Sequence, residues 1–183
     1  MIRSNKGYTA VEMMVVMSLV GIASTVALVS HSNQLSHRNL KVASRQVISH
    51  LRHLRQRAIV QNTTTTAEFY ADNDDIADNF YEVWDLGEHE LPAHIRFGYH
   101  EEVDQTPKGG ALSAGSLDGV SFSGNKIAFE ANGTASGLGG YIYLTNAPRP
   151  LPVSGDEQYE AVAISVNMTG SVRLYKWKAG HWE

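Results

Sequence analysis

The sequence predicts an α+β protein in which a long amino-terminal helix packs on an antiparallel β-sheet domain. Residues 13–30 carry no charged side chain. Apolar residues then recur at helical spacing up to residue 58, and beyond residue 62 the pattern changes to short β-prone segments between turn residues. We expect the first half of the helix to be transmembrane and its second half to be amphipathic.

Composition limits the class of protein. The chain has 183 residues, of which 43% are hydrophobic and 19% charged, so it can build one modest domain with an attached segment. A mean hydropathy of -0.23 is not that of a polytopic membrane protein. The absence of Cys excludes disulfides, thiolate metal sites and cysteine nucleophiles.

Charge is divided unevenly along the chain. Between residues 34 and 61 there are six basic side chains and no acidic one, whereas residues 62–183 hold 18 acids and 7 bases, a net charge of 7 − 18 = −11. This division favours a segment that contacts a membrane or a partner, followed by an acidic soluble domain.

The uncharged run at the start predicts a membrane span. Together with residues 8–11 it reaches the roughly 20 residues that a bilayer core requires. Arg3 and Lys6 precede it, so the remainder of the chain is expected on the exported side. A secretory signal cleaved near Ser30 is the alternative. That alternative leaves Glu12 unexplained, because a carboxylate in hydrocarbon costs about 2.5 kcal/mol and calls for a positively charged partner.

The residues K-G-Y-T-A-V-E-M-M-V-V-M, which begin at Lys6, resemble the start of type IV prepilins and type II secretion pseudopilins. The resemblance implies that a prepilin peptidase cleaves after Gly7, that the new amino terminus at Tyr8 is methylated, and that Glu12 acts in subunit assembly. Tyr8 replaces the phenylalanine usual in the family.

The same resemblance implies a domain plan and a location. Residues 1–7 would be the leader peptide, 8–30 the transmembrane and filament-core helix, 31–62 its amphipathic continuation, and 63–183 a periplasmic or extracellular β-rich domain, a lollipop shape typical of pilins. The chain would be a single-pass protein of the bacterial inner membrane with its carboxy-terminal domain in the periplasm. Its partners would be other pilins or pseudopilins, the peptidase and the inner-membrane assembly platform.

An apolar stripe marks the second half of the helix. No Pro or Gly interrupts residues 22–61, so one helix from Tyr8 to about Asn62 is expected. Its basic residues and three histidines would contact anionic lipid, acidic neighbours or nucleic acid, or form a solvated polar face. The stripe consists of Leu40, Ala43, Val47, Leu51, Leu54 and Ala58.

A β meander of seven or eight short strands is expected after residue 62. Turn residues that accept positive φ separate several of them, at 123–125, 132–134 and 168–170. The predicted strands are 66–70, 80–84, 95–99, 119–122, 126–129, 141–145, 161–166 and 172–177.

The carboxy-terminal pattern resembles the minor pseudopilins called GspH/FimT. Phe129 and Gly133 form an F-x-x-x-G turn, two strands follow, and a hairpin begins at Gly170. The resemblance implies a structural subunit of the type II secretion pseudopilus that takes part in protein secretion. The alternative within the group is a FimT-like minor pilin of type IV pili, acting in pilus assembly or DNA uptake.

DNA binding in some FimT-like proteins uses a Gly-Arg-x-Arg motif. Here Ser171 stands where the first arginine would be and Arg173 where the second would be. Arg173, Lys176 and Lys178 stay as candidate nucleic-acid contacts among aromatic residues. The acidic domain argues against strong phosphate binding, which needs several basic contacts.

Catalytic signatures are missing, and we expect no enzyme and no cofactor. The segment from His89 to His94 has one residue too many and a proline for a zincin motif, and neither a nucleophile elbow nor a Walker sequence occurs. His50 and His53 are spaced to share a metal, but no acid lies near them in sequence. The acidic run from Asp72 to Asp78 offers oxygen ligands for Ca²⁺ but lacks the glycine and closing glutamate of an EF-hand, so a solvated loop is expected.

Overall fold

The computed structural model describes residues 9–71, 79–99, 103, 105–110, 112, 118–146, 160–178 and 180–183. Within the helix, the side chains of residues 25–34 are outside this description. The chain divides into two compact units, Met1–Leu35 and Ser36–Glu183. The predicted leader 1–7, the cleavage and methylation residues Gly7 and Tyr8, and the acidic run 72–78 lie outside the described residues.

Helix α1 spans Ala10–Gln61, close to the predicted 8–62. It ends where Asn62 adopts a φ of 52°. In this conformation the Thr63 N–H donates to the Ala58 carbonyl at 3.2 Å, a bond that satisfies one of the carbonyls left open at a helix end. The prediction of one long helix is confirmed.

Two antiparallel sheets follow the helix. In the first, the order is β3-β2-β1-β5, so β1 pairs on both of its edges, with β2 and with β5. Ala67 of β1 lies opposite Val83 of β2 and Ile127 of β5. The strands are β1 (Thr65–Tyr70), β2 (Phe80–Val83), β3 (Gly87–Glu90) and β5 (Lys126–Phe129).

The second sheet has the order β4-β6-β7-β8-β9. Its central strand β7 is buried along its whole length, because both faces are covered. Ile164 of β7 lies opposite Ile142 on one side and Leu174 on the other. The strands are β4 (Arg96–Phe97), β6 (Gly140–Thr145), β7 (Ala161–Val166), β8 (Val172–Lys178) and β9 (His181–Trp182).

One core joins the second half of α1 to both sheets. The six predicted stripe residues are at most 1% exposed, and they share a cluster with side chains of β1, β2, β5, β6 and β7. Burial of this apolar area at about 25 cal/mol per Å² is the main term that stabilises the second unit. The α+β class and the packing of the amphipathic half on antiparallel sheet are confirmed.

The meander prediction is wrong in its topology. The chain leaves the first sheet after β3, places β4 in the second sheet, returns for β5 and then completes the second sheet. Residues 119–122 do not form a strand. Gly119 has a φ of 80° and lies against Gly98, so the segment bonds to Tyr141 and Tyr143 of β6 without a regular ladder.

Strand lengths also differ from the predictions. The predicted strand 95–99 shortens to Arg96–Phe97, and the polar strand Gly87–Glu90 and the terminal pair His181–Trp182 were not predicted. Both missed strands lack the β-branched residues that signal a strand in sequence, and their pairing partners supply the stabilisation instead.

Over the residues whose side chains are described, no helix combines the length and the apolar character needed to cross a bilayer. Residue 8 and the side chains of residues 25–30 are part of the predicted membrane span 8–30 but lie outside the described residues. The membrane span therefore stays a prediction.

Candidate functional site

The start of α1 is closed by a reciprocal pair of side chains. The Glu12 carboxylate accepts hydrogen bonds from the Thr9 N–H at 2.9 Å and from the Thr9 hydroxyl at 3.0 Å, both at Oε2. The Glu12 N–H in turn donates to Thr9 Oγ1 at 3.2 Å. This is a capping box, with Thr9 as N-cap and Glu12 three residues on. The T-x-x-E pattern from Thr9 to Glu12 is the sequence signal of this cap, and it gives Glu12 a local role in addition to the one that the resemblance implies.

The helix beyond the box exposes apolar side chains on all its sides. Nine large hydrophobic residues between Val11 and Ile22 are 53 to 72% exposed. The hydroxyls of Ser18 and Ser24 bond back to the helix, Ser18 to the Met14 carbonyl at 2.8 Å and Ser24 to the Val20 carbonyl at 2.7 Å. Polar groups are therefore satisfied within the helix, while the apolar surface is left for an external partner.

The candidate nucleic-acid residues of β8 lie on different faces of the strand. Arg173 lies opposite Ser165 and shares its face with Tyr175 and Trp177, whereas Lys176 lies opposite Val162 on the face turned to the core that contains α1. Lys178 is two residues beyond Lys176 and pairs with Glu183 at 3.9 Å. The predicted set of three cations is therefore not brought together.

Lys176 instead faces the basic residues of α1. A groove of about 580 Å³ runs between the helix and β8, and Leu174 and Val162 line it together with Glu160, which is paired with His37 at 3.2 Å. We call this surface the basic groove; its cations are Arg38, Lys41, Arg45 and Lys176.

A cluster of aromatic and imidazole rings joins α1 to the β2–β3 hairpin. The Tyr81 hydroxyl lies 2.9 Å from His50 Nδ1, and the His50 and His89 rings are 4.3 Å apart between centroids. Burial raises the pKa of Tyr81, so its hydroxyl keeps its proton and can donate a hydrogen bond to His50 in the tautomer whose Nδ1 carries no proton. Burial, then the positive charges that His89 and His53 would carry, lower the pKa of His50. A neutral His50 is the form that accepts this bond.

His53 has a different partner from His50. Its Nε2 lies 3.3 Å from Asp85 Oδ2, an atom that Arg57 Nε also approaches at 2.9 Å. The acid that the sequence did not show near His53 therefore comes from the β2–β3 turn. His50 Nδ1 and His53 Nε2 therefore lie against different residues of the β2–β3 hairpin.

Metal binding finds no support in the described part of the chain, where no group of three or more His, Asp or Glu side chains is placed to hold an ion. His89 and Glu90 belong to strand β3, not to the helix that a zincin motif requires.

The F-x-x-x-G turn and the glycine of the following hairpin meet beneath one arginine. Arg55 of α1 donates to the Gly133 carbonyl at 2.9 Å and to the Thr169 carbonyl at 3.1 Å. Gly170 has a φ of 72°, and a Cβ there would lie 2.1 Å from the Gly133 carbonyl oxygen. The two glycines that carried the resemblance thus allow both turns to pack under the helix.

Comparison with known protein families gives a match over most of the chain. A family model described as type II transport protein GspH matches residues 43–170, a range that contains most of the stripe, β1 to β7 and both of these glycines. No curated protein and no solved structure matches the chain.

Proposed function

The chain belongs to the GspH family of type II transport proteins, and from this we propose that it is a minor pseudopilin. GspH proteins form a structural pseudopilin family and not an enzyme family, and they associate with other pseudopilins in type II secretion. We propose that this chain is a subunit of the secretion pseudopilus that assembles through its amino-terminal helix after prepilin peptidase cleavage.

The exposed apolar start of α1 is the observation that carries this proposal. A helix that is apolar all round is stable only when it is covered, either by lipid or by other helices. A filament subunit meets both conditions in turn: the bacterial inner membrane holds the segment first, and neighbouring helices in the pseudopilus cover it afterwards. The periplasm would hold the carboxy-terminal domain.

The capping box supports a role for Glu12 at the subunit contact. Both hydrogen bonds from Thr9 reach Oε2, and no other described residue donates to Oε1, which could accept from a further donor. Cleavage after Gly7 would make Tyr8 the first residue, with a methylated amine that carries a positive charge. In a stack of helices, the amine of one subunit would supply the cation that Glu12 of its neighbour requires.

Intact mass and amino-terminal sequencing of the chain from membranes that contain the peptidase test the processing step. We expect a chain that starts at N-methylated Tyr8. Gly7→Val should block cleavage, and Gly21→Val should leave it intact, because no atom lies within 4 Å of a Cβ at Gly21. A chain that starts near His31, or that retains Met1 with the peptidase present, would contradict the proposal.

Complementation tests the secretion step separately. In a strain that lacks the chain, the wild type should restore secretion of a type II substrate, whereas Glu12→Ala should be processed at Tyr8 yet fail to restore secretion. Restored piliation or DNA uptake without restored secretion would favour the FimT-like alternative instead. That alternative also expects salt-dependent DNA binding that Arg173→Ala weakens.

A further inference from the structure

The basic groove holds positive charges that form no ion pair with other described residues of the chain. Arg38, Lys41, Arg45 and Lys176 take part in no ion pair within the described residues, and all four are exposed. Glu160, the acid that lines the groove, lies 3.2 Å from His37 Nδ1, and its single charge leaves the four cations in excess. Leu174, 37% exposed, adds an apolar patch beside these cations. The combination of cations around an apolar patch is suited to a partner that presents carboxylates.

The outer face of the four-stranded sheet has the opposite charge. Glu82 lies directly opposite Glu88 of β3 and, on its other side, opposite Glu68 of β1. Lys126 binds Glu68 at 2.9 Å, and Glu82, Glu88 and Glu90 are exposed. We call this surface the acidic sheet face. Like charges at opposed positions of a sheet destabilise it, so a cationic partner would relieve a repulsion that already exists.

Apolar area accompanies these carboxylates as well. The rings of Tyr70 and Phe80, on the same face, stack with centroids 4.5 Å apart. Both surfaces therefore combine charged side chains with partly exposed apolar ones, and the two carry opposite charge.

The two surfaces belong to different sides of the second unit. The opposite face of the four-stranded sheet, with Ala67 and Tyr81, packs in the core with α1, so the acidic sheet face points away from that helix. The basic groove lies beside the helix and next to β8. One copy cannot bring them together, and two copies can.

We propose that the basic groove of one copy binds the acidic sheet face of a second copy, in a head-to-tail contact. Such a heterologous contact leaves one groove and one acidic sheet face free at the two ends, so it can be repeated along an open array. Nucleic acid is a poorer fit to this groove, because Tyr175 and Trp177 lie on the other face of β8 and, among the described residues, no Phe, Tyr or Trp ring lines it. The contact does not depend on the secretion role and can be measured on the isolated chain.

Self-association of the detergent-solubilised full chain, measured by sedimentation velocity and by energy transfer between labelled copies, tests the contact. The double substitution Lys41→Glu with Arg45→Glu should weaken it by about tenfold or more, as should Glu82→Lys with Glu88→Lys. An equimolar mixture of the two variants should recover the affinity, because each then offers the surface that the other lacks. Raising the salt from about 0.1 M to about 1 M, where the Debye length falls from about 10 Å to about 3 Å, should weaken the wild-type contact.

A double substitution with the same change of charge is the matched control. Lys108→Glu with Lys178→Glu alters residues that do not line the basic groove and should leave self-association unchanged. Circular dichroism of each variant establishes that it is folded. A wild-type chain that stays monomeric, or a mixture that does not recover association, would overturn the proposal; so would a groove that binds duplex DNA or anionic vesicles while the chain does not self-associate.

Discussion

The two stretches of helix α1 differ in where their apolar side chains find partners. In the second stretch, residues 36–61, the stripe residues are at most 1% exposed and share the core with both sheets. In the first stretch, residues 10–24, the large apolar side chains are more than half exposed. The comparison shows that the same secondary structure is stabilised within the chain in one stretch and needs a partner outside it in the other.

The distribution of apolar residues already separates the two stretches in the sequence. A stripe at spacings of three and four predicts a helix with one buried face, whereas apolar residues on every side predict a helix surrounded by apolar material. The pattern of apolar residues does not distinguish lipid from neighbouring helices as that material. It follows only from the family and from the proposed processing.

The largest expected effect on unfolding free energy is the difference between two leucine-to-alanine variants, one in each stretch. Leu51→Ala should lower the free energy of unfolding of the second unit by about 2–5 kcal/mol, because it removes a side chain that is 1% exposed in a packed core. Leu19→Ala should leave that free energy nearly unchanged, because Leu19 is 62% exposed. Urea unfolding of the full chain in detergent, followed by circular dichroism, measures both.

For secretion, the expected order of the two leucine variants is the reverse of their order in unfolding free energy. Leu19→Ala should reduce secretion although the chain stays folded, while Leu51→Ala should reduce it only as far as it lowers the amount of folded protein. Equal losses of unfolding free energy in the two variants would show that both stretches are stabilised within the chain, against the comparison.

The Gly133 and Gly170 turns pack against the second stretch of α1 through Arg55. Gly170→Ala should cost about 2–4 kcal/mol of unfolding free energy, because it adds strain at positive φ and places a Cβ against the Gly133 carbonyl. Gly137→Ala is the matched control: its φ is 76° and its Cβ would meet no atom within 4 Å, so only the conformational strain of about 1 kcal/mol is expected. Equal losses of unfolding free energy in the two variants, measured by thermal unfolding, would contradict the close packing of the Gly133 and Gly170 turns beneath Arg55.

The elements that sequence reasoning predicted well are those whose signal is local. The helix from residue 10 to residue 61, the stripe, and the strands 126–129 and 161–166 follow from periodicity and β propensity alone. The Gly133 and Gly170 turns also follow, since only a few residues accept a positive φ.

The elements that were missed depend on contacts distant in sequence. Gly87–Glu90 is a strand because β2 pairs with it, although its residues are polar. The return of the chain to pair β5 with β1 has no local signal. The grouping of Lys176 with Lys41, and of His53 with Asp85, likewise depends on packing between segments that the sequence separates widely.

The smallest expected effect concerns the ring cluster between α1 and the β2–β3 hairpin, in the packed stretch alone. The pKa of His50 is lowered in the folded chain from its ordinary value of 6.5, so the unfolded chain binds more protons just below that pH. Stability is therefore present above about pH 6.5 and is lost as the pH falls below it, until His50 is protonated in the folded chain as well. The loss of unfolding free energy is at most about 1.4 kcal/mol per pH unit for one proton, and the partial exposure of His50 makes it smaller.

Protonation of His50 disrupts its interactions with neighbouring side chains. It removes the acceptor of the Tyr81 hydroxyl and places a positive charge in a ring whose centroid lies 4.3 Å from that of His89. His53 lies on the same helix, and Arg57 is paired with Asp85. His50→Gln should flatten the loss of unfolding free energy between pH 7 and pH 5, and His181→Gln, on the distant strand β9, should not. Because the exposed stretch of α1 contains no histidine up to residue 24, its detergent-bound helicity should stay constant over the same range; a parallel loss there would mean that acid acts on the whole helix and not on this cluster.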